Sequence, residues 1–204
     1  MHIYTLEQGK ELVRAARNTI ELAARSPRFD REVVRSSLRG FGEKYGVFVT
    51  LKHYPTEVLR GCIGFPRPVE SVRNEIVDAA FAAAFEDPRF VPVSHKEIDE
   101  LIVEVSILSE PVAIKSRSPA GIRRLKIGRD GTIIEYGLYS GLLLPVVAVE
   151  HGWDREQLLE GTCEKAGLPP GYWKQPNVKL YKFETQVFTE ETPSGSVVEI
   201  KQGS

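Results

Sequence analysis

Disulfides, metal clusters, membrane spans and an excess of one charge are all missing from this sequence, and each absence narrows what the chain does. Two cysteines in 204 residues, Cys62 and Cys163, are too few for a disulfide framework and lack metal-ligand spacing. Both are expected as free thiols in a reducing compartment. Four histidines, His2, His53, His95 and His151, are scattered, so a zinc site would need distant segments, and no metal is expected. No apolar run approaches the roughly 18 residues that span a bilayer. The N-terminal residues show no apolar signal-peptide core, so a cytoplasmic location is expected. With 27 basic and 28 acidic side chains the formal net charge is −1, and basic clusters such as Arg123-Arg124 with Lys126 are short, which argues against nucleic acid. Neither glycine-rich stretch fits a Walker loop or a dinucleotide fingerprint, and Tyr139-Ser140-Gly141 lacks the nucleophile-elbow pattern, so no cofactor is expected.

What is present has a globular composition, 42% hydrophobic and 27% charged, in a chain long enough for one large domain or two lobes. Thr5 with Gln8 is a capping box, and Leu12, Ala16, Ile20 and Ala23 recur at helical spacing, predicting a helix over 6–24 that ends before Ser26-Pro27. Residues 26–46 read as a loosely packed surface connector. Val47, Phe48, Val49 and Leu51 form a strand, the polar residues 53–57 reverse the chain, and 58–65 return as a hairpin arm. Val72, Ile76, Ala79, Ala80 and Ala83 mark a buried helix whose alanines permit close approach to a sheet. Residues 101–108 alternate as a strand. A second hairpin is expected from 122–127 and 132–136 around Arg129-Asp130-Gly131, followed by a proline-broken apolar run from Leu142 to Val149. Asp154 with Gln157 starts a helix over 155–166 that Gly167 ends, and 178–188 make a last strand. This order predicts the α+β class: two subdomains around a mostly antiparallel or mixed sheet with packed helices. The domain is expected to span 1–192, with two lobes meeting at a cleft near 59–65, and 193–204 to be a flexible tail.

The stretch Leu59-Arg60-Gly61-Cys62-Ile63-Gly64 is the best site candidate. Glycines in a strand mark a bulge or a close backbone approach, so Gly61 and Gly64 suggest geometry favoured over propensity, with backbone N–H groups available to an anion. Cys62 is a candidate nucleophile if a cation or histidine stabilises its thiolate, and Arg60 is the nearby cation and anion binder. A lone cysteine in a strand otherwise serves as a small core hydrophobe. His151, in Glu150-His151-Gly152-Trp153, is either an acid-base group or part of a helix junction. Arg89, in Asp87-Pro88-Arg89-Phe90, either binds a carboxylate or phosphate of a substrate or pairs with Asp87 or Glu86 to fix the turn.

These motifs, with Gly141-Leu142-Leu143-Leu144-Pro145, Glu150-His151-Gly152-Trp153-Asp154 and Lys165-Ala166-Gly167-Leu168, resemble the AMMECR-type domain family over about residues 5–190. The resemblance implies an α+β domain of two subdomains with the Cys62 hexapeptide near their junction. It also implies association with a Memo-type protein and a radical S-adenosylmethionine protein in a modification pathway. The chain departs from the family pattern at Val146, where such domains often carry glutamine after Leu-Leu-Leu-Pro. Two function classes follow. One is an enzyme using Cys62 and His151, with Arg60, Gly61, Gly64 and Arg89 binding substrate; the other is a noncatalytic binding or scaffold domain.

Overall fold

In a computed structural model, which describes residues 3–26 and 28–200, Thr5 and Gln8 close the expected capping box. The Gln8 N–H donates to Thr5 Oγ1 at 3.3 Å and the Thr5 N–H to Gln8 Oε1 at 2.9 Å. His2, Pro27 and residues 201–204 lie outside the described residues. Helix α1 (Leu6–Arg25) buries Leu12, Val13, Ala16, Ile20 and Ala23 along one side. The cap stabilises it by about 1 kcal/mol, and the buried stripe contributes more, at about 25 cal/mol per Å² of apolar area removed from water.

The next segment corrects the expectation of a loose connector. Helix α2 (Glu32–Arg35) and a 3₁₀ turn at Ser36–Leu38 bury Val34, Leu38 and Phe41 in the same core as α1. Those three residues stand four and three apart, a helical spacing within an otherwise polar stretch. Strands β1 (Gly46–His53) and β2 (Val58–Phe65) form the expected hairpin, followed by the alanine-rich α3 (Val72–Phe85) and β3 (Leu101–Leu108).

Past the short β4 (Val112–Ala113) the second hairpin is displaced from its expected place. Ser118 caps a helical turn, α4 (Pro119–Ile122), with Pro119 at its first position, and Ile122 and Leu125 are buried at helical rather than strand spacing. The hairpin instead joins β5 (Asp130–Tyr136) to β6 (Tyr139–Leu143), turning at Gly137, whose φ of 57° suits glycine. The apolar run then becomes α5 (Pro145–Glu150), because proline at a helix start lacks only an N–H that would have no intrahelical partner. Asp154 and Gln157 cap α6 (Arg155–Lys165) as predicted. Strand β7 (Lys179–Glu190) follows, and β8 (Val197–Ile200) corrects the reading of 193–204 as a tail: it pairs with β7 and buries Val197. The strands pair antiparallel, and six α-helices with eight strands among the described residues make the fold α+β.

The chain divides into two compact units, one of residues up to Leu108 together with Gln186–Ile200, the other Ser109–Thr185. In the larger unit β2, β1, β3 and β7 lie in that order with β8 on β7; α3 packs on β1 and β2, and α1 on α3 and β3. A buried ion pair ties α1 to the strands. Arg17, 6% exposed, donates through Nε and Nη2 to the two carboxylate oxygens of Glu190, 4% exposed, at 2.5 Å each. Arg17 Nη2 also donates to Leu101 O at 2.6 Å, and Glu190 Oε2 accepts the Val103 N–H at 2.9 Å. Buried Gln186 accepts the N–H groups of Ile3 and Tyr4 and donates to Tyr4 O and to Glu199, joining the start of the described chain to β8. The smaller unit has its own core, including Ile134, Leu159, Cys163, Trp173 and Leu180.

Candidate functional site

The register of β1 against β2 explains how the glycine-flanked hexapeptide is displayed. Leu51 lies opposite Gly61 but Lys52 lies opposite Leu59, so Arg60 is an extra residue, a β-bulge. The bulge turns Arg60 inward, to 6% exposure, while Val58 and Leu59 stay exposed. Gly61 is required at the next position: a Cβ there would sit 2.1 Å from the carbonyl oxygen of Ala83 in α3, so strand and helix approach through bare backbone. Gly64 lies opposite Phe48 in the same hairpin.

Inside, Arg60 meets a carboxylate that no local pattern announces. Its Nε donates to Glu97 Oε1 at 2.5 Å, and its Nη2 to Glu97 Oε2 at 3.1 Å and to Val91 O at 2.8 Å. Burial pushes the Glu97 carboxyl up, but the Arg60 hydrogen bonds, the Ser94 N–H and the charges of Arg60 and His53 together outweigh it, so Glu97 titrates below the usual range. His53 Nε2 stands 3.8 Å from the same carboxylate. Arg60 is therefore a buried cation held by Glu97 and Val91, with its Nη1 left without a partner among the described residues.

Cys62 is held from both sides. Opposite it on β1, Thr50 donates its hydroxyl to Cys62 Sγ at 3.3 Å. On the other side the Cys62 N–H donates to Asp87 Oδ2 at 2.9 Å, and Arg89 Nη2 donates to Cys62 O at 3.2 Å. Because β2 ends the strand order, these backbone groups face no further strand, and an Asp–Arg pair stands where a neighbouring strand would. Asp87 and Arg89 are joined by bonds of 2.9 Å from Nε and 2.6 Å from Nη2. Those bonds, with the N–H groups of Cys62 and Arg89, hold the Asp87 carboxyl well below the ordinary carboxylate range against the opposing effect of burial. Burial pushes the Cys62 thiol up, and the Thr50 hydrogen bond and the Arg89 charge only partly offset it. Burial therefore makes this thiol harder to ionise than an exposed cysteine.

Arg60, Gly61, Cys62, Gly64 and Arg89 are thus gathered in the larger unit. His151 belongs to the smaller one, at the end of α5, where its Nδ1–H donates to Val147 O at 3.0 Å and its ring lies 4.7 Å from that of Trp153. Val146 is exposed on the same helix. Among the described residues no three His, Cys, Asp or Glu side chains are grouped to hold a metal, and no helix is long and apolar enough to cross a membrane.

Two segments 25 residues apart, the Cys62 hexapeptide and Asp87-Pro88-Arg89-Phe90, therefore form one constellation. The model of the AMMECR1 family matches residues 13–188 of this chain, across both. The chain belongs to the AMMECR1 family. Among AMMECR1 relatives, Protein MJ0810 of Methanocaldococcus jannaschii is 49% identical over 204 residues, covering 98% of this chain and 99% of that protein. Protein MK0488 of Methanopyrus kandleri is 46% identical over 197 residues, covering 96% and 94%. The crystal structure of the uncharacterized protein PH0010 from Pyrococcus horikoshii matches with a TM-score of 0.89 at 46% identity, covering 95% of this chain and 97% of that one. Thr50 and Glu97 are the residues of this cluster that sequence reasoning missed. Hairpin register could have indicated Thr50, whereas Glu97, 37 residues from Arg60, carried no signal.

Proposed function

We propose that this AMMECR1 domain is a noncatalytic recognition module whose β2 edge binds a partner protein. The observation that carries this reading is the inward turn of Arg60. It locks the bulge to Glu97 and Val91 and leaves Val58, Leu59 and Val91 exposed on a rigid backbone, the kind of pre-ordered apolar surface that loses little conformational entropy on binding. The Memo-type and radical S-adenosylmethionine proteins suggested by the family resemblance are the partners to try first, in the cytoplasm. Leu59→Asp should abolish association with a purified Memo-type partner in titration calorimetry while leaving the unfolding free energy within about 0.5 kcal/mol, as for other exposed positions. Undiminished binding by Leu59→Asp would remove the β2 edge from the interface.

The enzyme class makes the opposite demand on Cys62, that its thiolate be populated at working pH. With its titration pushed upward by burial, Cys62 should be alkylated slowly near pH 7, and its rate should rise only above the ordinary thiol value of about 8.5. Peptide-resolved mass spectrometry of native protein, with fully buried Cys163 as internal control, reads this directly. Alkylation at pH 7 faster than that of a free thiol would return Cys62 to the role of nucleophile.

A further inference from the structure

We infer that the smaller unit carries a separate binding site for a small phosphate monoester, in a cavity beside α4 and the start of α6. The cavity, of about 560 Å³, is lined by Arg117, Arg123, Arg155 and Lys174 with Asp154 and Glu156. That volume falls within the range of small-molecule sites. Its charges are poorly matched to each other. Asp154 Oδ1 accepts the Gln157 N–H as the cap of α6, and among the described residues Glu156 reaches only Lys174, at 3.9 Å. Among the described residues half-buried Arg117 and exposed Arg123 and Arg155 form no ion pair.

Two of these arginines are also oriented in advance. Arg117 donates through Nε to Trp173 O at 2.8 Å and through Nη2 to Val178 O, and Arg155 donates through Nε to Leu125 O at 2.6 Å. Backbone carbonyls fix the direction of each guanidinium without neutralising it, and the remaining N–H donors stay unbonded within the described protein. The side chain of Arg123, just after α4, is exposed and has no partner among the described residues. Three guanidinium groups with surplus charge suit a phosphoryl group better than a carboxylate. A phosphate monoester carries close to two negative charges and three acceptor oxygens at neutral pH, enough for several arginine forks, whereas a carboxylate has one charge and two oxygens. Pro119, Ile122 and Trp173 complete the lining with apolar groups for the organic part of the ester.

The test is a ¹⁵N NMR titration of the full chain with adenosine monophosphate at low salt, with inorganic phosphate in parallel. Adenosine monophosphate should shift the amides of α4, of the first turn of α6 and of residues 172–174. Arg123→Gln should weaken it by at least about tenfold, the loss of one hydrogen-bonded charge, with an unchanged unfolding midpoint because Arg123 holds nothing in the fold. Arg155→Gln should weaken it similarly. Absence of localised shifts with either probe at about 10 mM, far beyond the range of a specific site, would overturn the inference. So would shifts elsewhere, or affinity untouched by both substitutions. Binding of a single-stranded oligonucleotide with no response to adenosine monophosphate would overturn it too, in favour of a polyanion surface.

Discussion

Arg17→Met should lower the unfolding free energy by about 3–5 kcal/mol, the usual loss when one partner of a buried ion pair is removed and the other charge stays behind. Glu190 would be left at 4% exposure with only the Val103 N–H to stabilise its charge, and Leu101 O would lose its donor. Most of the loss comes from the stranded carboxylate rather than from the missing contact, and this makes the prediction separable. Adding Glu190→Gln to Arg17→Met removes the buried charge but keeps an amide oxygen for Val103, so the double variant should be more stable than Arg17→Met alone. Urea unfolding of the two variants and the parent measures both quantities. A loss below about 1 kcal/mol for Arg17→Met, the level of an exposed pair, would show that the ion pair does not hold α1 to the strands.

Asp87→Ala should cost about 3 kcal/mol, because it leaves the Cys62 N–H without its acceptor and Arg89 without its counter-charge. The loss is smaller than for Arg17 because the Arg89 side chain is 49% exposed and recovers hydration. The variant should also speed alkylation of Cys62, since the aspartate no longer holds that edge closed. Acid separates this effect from a general loosening. Asp87 titrates lower in the folded than in the unfolded chain, so its contribution is fully present above the unfolded carboxylate value of about 3.9 and is lost as pH falls through the folded value. The stability gap between parent and Asp87→Ala should therefore be widest near pH 7 and shrink below about pH 4. A gap independent of pH would mean that the carboxylate charge plays no part.

Elements that announce themselves within a few residues were legible in the sequence. The capping pairs Thr5–Gln8 and Asp154–Gln157 start helices where expected, and the alternation of 101–108 is a strand. The misreadings have a common cause, the competition of short patterns that only tertiary contact decides. Ile122 and Leu125 fit a strand until Ser118 and Pro119 start a helical turn, and Val34, Leu38 and Phe41 look sparse until a core is there to receive them. The site was half legible for the same reason. Gly61 and Gly64 correctly signalled a bulge or close approach around Cys62, and the two readings of Arg89 included its pairing with Asp87. The inward turn of Arg60 depends on a one-residue slip in register and on a glutamate 37 residues away, neither of which any local window contains.

The larger unit is built from both ends of the chain, and this sets an order on its assembly at the ribosome. Ser109–Thr185 form one uninterrupted segment, so the smaller unit has all its residues as soon as Thr185 has cleared the exit tunnel. The larger unit, although most of it is synthesised first, must wait for Gln186 to tie down Tyr4 and for Glu190 to neutralise Arg17, 173 residues behind it. Until then Arg17 has only Glu21 of its own helix, at 3.8 Å, as counter-charge, and the outer edge of β3 lacks β7. Translation thus reverses the usual N-to-C sequence of domain folding. A nascent chain held with Thr185 just outside the tunnel would have every residue of the smaller unit free to fold, while its N-terminal half, still without Gln186–Ile200 to close on, stays exposed to chaperones.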